Sequence, residues 1–232
     1  MNNRLMLLPG MHGTGELFSD FMKAMPRSMH IEALHYPTDT SLSYQQLLRA
    51  VRSSVLASGQ YFLLAESFST PFAIEFAATN PANLKGLILC AGFASSPLTG
   101  PRLIAASLCA PLLFRLPVFD FAMNRFLIGS NPPESLQSAV RAAVSSVKPK
   151  LLTARLRAVL SCDARQALSQ IAVPMLYIHA AKDKVVPKSC LDEIRRTRPE
   201  IRIAEINGPH LILQREPKQS ADVVMKFIQV FR

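Results

Sequence analysis

The residue best placed to do chemistry is a serine at a break between two patterns. Ala65-Glu66-Ser67-Phe68-Ser69 follows the apolar run Tyr61-Phe62-Leu63-Leu64, and a helix-like stretch, residues 71–78, begins almost at once. Strand, sharp turn and helix form a layout that presents a nucleophilic serine hydroxyl. Such a turn strains the backbone, so the residues two positions either side must be small; here they are Ala65 and Ser69 rather than glycines. A serine is a poor nucleophile unless a base takes its proton, and the base needs an orienting carboxylate. Asp183 lies just past the apolar run 175–179 and ahead of Val185-Val186-Pro187. His210 follows the alternating run 201–206 on an Asn207-Gly208-Pro209 loop. Taken singly, Asp183 reads first as a turn residue ahead of a helix, and His210 reads equally as a base or as a capping or surface histidine. Together, the order Ser67, Asp183, His210 is that of a nucleophile, orienter and base on one sheet.

The loop after the first strand supplies a fourth part. In Leu8-Pro9-Gly10-Met11-His12-Gly13-Thr14-Gly15 the glycines let the backbone turn close to the serine. The amides of Met11 and of Phe68, the residue after the serine, are then the expected donors to a developing oxyanion. His12 is expected at the pocket mouth or holding the loop by hydrogen bonds. A phosphate loop is the rival reading. It is disfavoured because G-x-x-x-x-G-K-[ST] is missing and no acidic residue ends the second strand.

These residues need elements to position them. Strand patterns fall at 4–8, 31–36, 61–65, 87–90, 174–180 and 201–206. Helical patterns fall at 16–25, 43–57, 71–79, 187–197 and 218–231, with Tyr44, Leu47, Leu48, Val51 and Val55 on one face of the second. Alternating strands and helices predict an α/β fold: a mostly parallel sheet with helices on both faces and catalytic groups at the carboxyl ends of strands. From 98 to 170 the alternation stops, and helical patterns are cut by six prolines. The expected organisation is a core of 1–97 and 171–232 with an inserted helical lid at 98–170.

With the pieces LLPGMHGTG, LLAESFST, LYIHAAKDKVVP and INGPHLILQREP in place, the chain resembles the α/β-hydrolase superfamily over nearly its whole length. The resemblance implies Ser67 as nucleophile, His210 as base, Asp183 as orienter and the Met11 and Phe68 amides as oxyanion hole, with no metal or cofactor. The chain departs from that pattern in three places. The elbow lacks both glycines, Pro9-Gly10 replaces the usual His-Gly, and the sheet starts at the strand normally third.

The lid carries the charge. Of a formal net charge of +10, nine basic residues against three acidic ones leave +6 between 98 and 170. The same segment is rich in large apolar residues, so an apolar inner face, with Phe114, Phe121 and Phe126 joined by Leu211, is expected to line an acyl pocket. Arg141, Arg155 and Arg157 are expected to face outward, toward solvent or an anionic partner. The lid is similar in character to that of small bacterial carboxylesterases, among them the pimeloyl acyl-carrier-protein methyl esterases of biotin synthesis. That resemblance implies an acidic acyl carrier protein as partner. A peripheral contact with an anionic membrane is a further reading of the same surface. Nucleic acid is disfavoured, since no recognition motif accompanies the charge.

The leading expectation is therefore a serine hydrolase of carboxylic esters or thioesters working through an acyl-enzyme. The alternatives are the carrier-linked methyl esterase and a non-catalytic receptor or scaffold on the same fold. Four well-separated cysteines, Cys90, Cys109, Cys162 and Cys190, form no C-x-x-C pair and read as buried thiols. With no signal-like or membrane-length apolar run, a soluble cytoplasmic protein is expected.

Overall fold

The computed structural model describes residues 4–40, 42–47, 49, 52, 59–100 and 123–231. Its frame is a six-stranded sheet in the order β2-β1-β3-β4-β5-β6. The strands are β1 Arg4–Leu8, β2 His30–Ala33, β3 Tyr61–Glu66, β4 Leu84–Cys90, β5 Met175–Ala180 and β6 Arg202–Ile206. Every neighbouring pair is parallel. Parallel strands covered on both faces read as continuous apolar runs, and all six residues of β3 are buried.

Successive side chains of a strand point to opposite faces, and the core divides accordingly. Leu63, Ala65, Leu87, Leu89 and Tyr177 face one side. There they meet the helices α2 Thr70–Ala78 and α6 Lys188–Thr197 through Phe72, Phe76, Leu191 and Ile194. Phe62, Leu64, Ile88, Cys90 and Ile178 face the other. They meet α1 Ser19–Ala24 and α8 Pro217–Val230 through Phe21, Val224 and Phe227.

Local chemistry sets the element ends. Pro71 sits in the first turn of α2, where its missing N–H costs nothing. Asn80, with φ +47°, follows the helix in the left-handed conformation that asparagine tolerates. Strand β2 is shorter than its apolar pattern. Leu34 still donates its N–H to Leu7, but Tyr36 donates to Gly13 at 2.7 Å, because the glycine loop rather than β1 lies alongside it there. Strand β4 begins three residues early, since Leu84 and Gly86 already pair with β3.

Between β4 and β5 the described chain is helical: a π-helical turn Met123–Ile128, then α3 Glu134–Ser145, α4 Pro149–Leu160 and α5 Arg165–Ser169. One antiparallel bridge, Ser95 to Asp163, ties this segment to the end of β4. The remaining short helix, α7 Ile212–Arg215, follows β6. Leu48, Val51, Val55, Phe114, Phe121 and Cys109 lie outside the described residues. Cys90 and Cys190 are buried free thiols, while Cys162 is half-buried. Among the described residues no helix is long and apolar enough to cross a membrane.

Candidate active site

Ser67 ends β3 with φ +48°. A non-glycine residue there carries strain of order 1–3 kcal/mol, which the surrounding structure must hold in place. The restraint comes from both sides. Thr70 Oγ1 donates to the Ser67 carbonyl at 2.8 Å. Ser69, which occupies one of the small-residue positions, donates its hydroxyl to the Pro9 carbonyl and accepts that of Tyr36 at 2.7 Å. The serine in place of a glycine is thus a working part of the turn: it ties the elbow to the loop after β1.

The three distant residues meet. His210 Nε2 lies 2.9 Å from Ser67 Oγ, and His210 Nδ1 lies 2.8 Å from Asp183 Oδ2. A carboxylate can only accept, so Nδ1 carries the hydrogen and Nε2 is left to accept the serine proton. Asp183 is itself fixed: its Oδ1 accepts the N–H groups of Val185 and Val186 at 2.8 and 2.9 Å. The loops after β5 and β6 are joined by the N–H of Lys182 to the Gly208 carbonyl. The histidine loop is pinned to the helical segment by the N–H of Leu211 to the Leu127 carbonyl.

Burial, the largest single influence on His210, pulls its pKa down. The charge and hydrogen bond of Asp183, with the charge of Glu66, outweigh it and leave the pKa raised above 6.5. Glu66 is fully buried beneath the elbow. Burial pushes its pKa up to about 7, against the pull of Gln214, His210 and the Gly10 backbone. Neither carboxylate oxygen has a well-aligned hydrogen bond among the described residues. Nothing in the sequence pattern marked Glu66 beyond its place next to Ser67.

Met11, His12, Phe68 and Leu211 line one cavity with Ser67 and His210, as the sequence suggests. Its volume is about 200 Å³. The N–H groups of Met11 and Phe68 donate to no other group of the protein among the described residues. The first amides of a helical turn have no partner within it. His12 has two kinds of contact. It lines the cavity, and its Nδ1 accepts the Thr14 N–H at 3.1 Å. Burial, helped by Arg155, holds the His12 pKa down at about 4, so the ring is neutral near pH 7.

The helical segment adds Leu127, Val140, Leu152, Leu156 and Val159 to the cavity wall, which Leu17, Phe93, Val185 and Val186 complete from the sheet side. Phe126 is a correction: it is 45% exposed and points away, and its neighbour Leu127 takes the lining position. Arg155 is another. Expected on the outer face, it is 3% exposed and hydrogen-bonded to the loop after β1. The α4 sequence held the signal for this, because Arg155 shares the helical face of Leu152, Leu156 and Val159. Arg141 and Arg157 are exposed, as expected.

The parallel sheet, the strained serine turn at the end of β3 and the helices on both faces define the α/β-hydrolase class. More narrowly, residues 19–208 match the family model described as Serine aminopeptidase, S33, and the chain belongs to that family of hydrolases. No curated protein sequence matches it. Among solved structures it is similar to a bromoperoxidase from Bacillus anthracis, with a TM-score of 0.85 and 14% identity over 99% of this chain and 92% of that one. An enol-lactonase from Burkholderia xenovorans LB400 superposes with a TM-score of 0.82 and 15% identity, covering 99% and 92% of the two chains. MenH from S. aureus gives 0.79 and 15%, covering 99% and 94%. At these identities the likeness is one of fold.

Proposed function

We propose that the protein is a serine hydrolase of carboxylic esters or thioesters with an apolar acyl group. The observation that carries this reading is His210 bridging Ser67 and Asp183 at the floor of a cavity walled almost wholly by aliphatic side chains. His210 takes the Ser67 proton as the hydroxyl oxygen attacks the acyl carbonyl carbon. The Met11 and Phe68 amides receive the charge that develops on the carbonyl oxygen. The tetrahedral species collapses, the alcohol or thiol leaves with the proton from His210, and Ser67 is acylated. A water molecule, deprotonated by His210, then releases the acid.

The cavity also bears on the charge of the acyl group. No aspartate or glutamate lines it among the described residues, so nothing there would meet the α-ammonium of a peptide N-terminus. That favours a neutral acyl group over aminopeptidase chemistry. The strain held at Ser67 argues against a non-catalytic receptor, because such strain persists at functional sites. In this proposal the described helices α3 and α4 act as a lid over the acyl group. With Arg155 turned inward, a carrier protein would have to be met by Arg141 and Arg157 instead.

The test is turnover of p-nitrophenyl esters. Ser67→Ala should lower kcat at least about 1,000-fold with the fold intact by circular dichroism. A fluorophosphonate probe should label Ser67 and nothing else. A folded Ser67→Ala variant at wild-type rate, or a probe that leaves Ser67 unmodified, would falsify the assignment.

A further inference from the structure

Helix α4 touches the site in two ways. Leu152, Leu156 and Val159 wall the cavity. From the same face, Arg155 Nη1 donates to the carbonyls of Met11 at 2.8 Å and His12 at 2.9 Å, and Nη2 donates to that of Pro37 at 2.8 Å. The guanidinium stands 5.9 Å from the ring centre of Tyr36. Its seat is tight: a Cβ on Gly13, where φ is +78°, would lie 2.5 Å from Nη1. A buried cation is costly, and a carboxylate partner would offset that cost better than carbonyls do. What the carbonyls give instead is orientation.

The orientation falls on one peptide. The Met11 N–H belongs to the plane joining Gly10 and Met11. On one side of that plane, Ser69 holds the Pro9 carbonyl. On the other, Arg155 holds the carbonyls of Met11 and His12. Between them, the Gly10 carbonyl of the same plane accepts the N–H of Gly13 at 2.9 Å, and Gly13 is itself packed on the Arg155 guanidinium, so the plane has little freedom while Arg155 is seated. An amide aimed at an oxyanion works only if it is set in advance, and a displacement of about 1 Å can cost 100-fold in rate.

We propose that Arg155 is a positioning residue that locks the oxyanion loop to the acyl-binding helix, so that acyl fit is expressed in kcat. The proposal rests on the serine-esterase reading above. An acyl group that fills the cavity packs on Leu152 and Leu156 and keeps α4 seated. The same seating holds Arg155 on the Met11 and His12 carbonyls, and the Met11 amide stays aimed. An acyl group too short to reach α4 leaves the helix, and with it the amide, less constrained.

The experiment compares p-nitrophenyl acetate, butyrate and octanoate on the wild type, Arg155→Lys and Arg155→Met. In the wild type, kcat should vary with acyl length. Both variants should lose about 10- to 100-fold in kcat on the best ester, with KM changed less than about threefold. The dependence of kcat on acyl length should flatten. Affinity for a trifluoromethyl ketone carrying the best acyl chain should fall by a similar factor, which a merely destabilised fold would not produce. Where Arg155→Met does not fold, Arg155→Lys, which keeps the cation but not the two-point fork, gives the same readout. A folded Arg155→Lys with wild-type kcat, or with its whole loss in KM, overturns the proposal. A wild type inert to all three esters overturns the esterase reading itself, and this proposal with it.

Discussion

The site is built from two regions held in different ways. At the sheet end, Ser67, Asp183 and His210 hang from β3, β5 and β6, whose spacing is set by backbone ladders. Among the described residues, the helical segment between β4 and β5 pairs with none of the six strands, and one isolated bridge, Ser95 to Asp163, ties it to the chain just after β4. It is held largely by side chains, Arg155 on three carbonyls and Leu151 and Leu152 packed against Met11, with single backbone bonds such as the Leu211 N–H to the Leu127 carbonyl and the Ala164 N–H to the Ala94 carbonyl. Backbone pairing sets where each strand ends, and local bonds such as those of Thr70 and Ser69 then hold the turn in place. Side-chain docking can be re-cut one residue at a time. The difference teaches where each task should be set: the reacting groups at the strand ends, the choice of acyl group on the helices, with Arg155 as the expected link between the two.

Substitutions in the two regions can break that division. The largest expected effect is at the sheet end. Asp183→Asn should lower kcat about 10,000-fold on every ester alike, because the imidazole loses the partner that fixes its tautomer. A loss that depended on acyl length would show that the two regions are not separable. Next comes the helical wall. Leu156→Trp, which fills the cavity, should cut kcat/KM for octanoate by roughly 100-fold and leave acetate within about threefold. Equal losses on both substrates would put Leu156 among the residues that serve the reaction itself.

The third test uses the buried acid under the elbow. Glu66 has its pKa raised from 4.5 to about 7 in the folded protein. Its folded form therefore holds a proton that the unfolded chain releases earlier. The resulting stability is full below about pH 4.5 and lost as pH rises toward 7 and beyond. Glu66→Gln should flatten this decline by up to about 3 kcal/mol, measured by urea unfolding at pH 5 and pH 8. The same variant removes one of the charges that raise the His210 pKa. Activity requires neutral His210, so the acidic limb of the kcat/KM profile should lie above pH 6.5 in the wild type and move downward in Glu66→Gln. A limb that stays put would mean that Glu66 does not act on the base. The smallest effect is expected at Ser69. Ser69→Ala leaves the buried Tyr36 hydroxyl and the Pro9 carbonyl without their partner, at a cost of about 1–2 kcal/mol in unfolding free energy.

The two regions also differed in how far they could be read from sequence. The grouping of Ser67, Asp183 and His210 was legible because each lies within a few residues past a strand end, and strand ends announce themselves by an apolar run giving way to turn residues. The cavity residues beside the serine, Met11, Phe68 and Leu211, came with it for the same reason. The helical segment gave its helices but not their aim. Phe126 and Leu127 are adjacent, and which of them faces the cavity depends on a π-helical turn that no simple period describes. Arg155 contacts residues more than 140 positions away. Composition assigned it to solvent with the other arginines, although its place on an apolar helical face set it apart. Ser69 looked like a lapse from glycine until its partners, Pro9 and Tyr36, were seen. Glu66 was silent, since burial of a charge cannot be read from its neighbours in the chain.

The sheet order has a consequence for how the protein acquires activity. Ser67 and His210 are 143 positions apart in sequence, and the strands that precede Ser67, Asp183 and His210 join the sheet by parallel pairing with long connections. Contacts of that kind form late, because the loop closures must be completed first. The left-handed turn at Ser67 cannot be held until the β1 loop is present to receive Ser69. In refolding, helix content should therefore return well before turnover does, and a protease added in that interval should find the chain from β5 onward exposed. Activity in this protein is a clock for the docking of its last two strands.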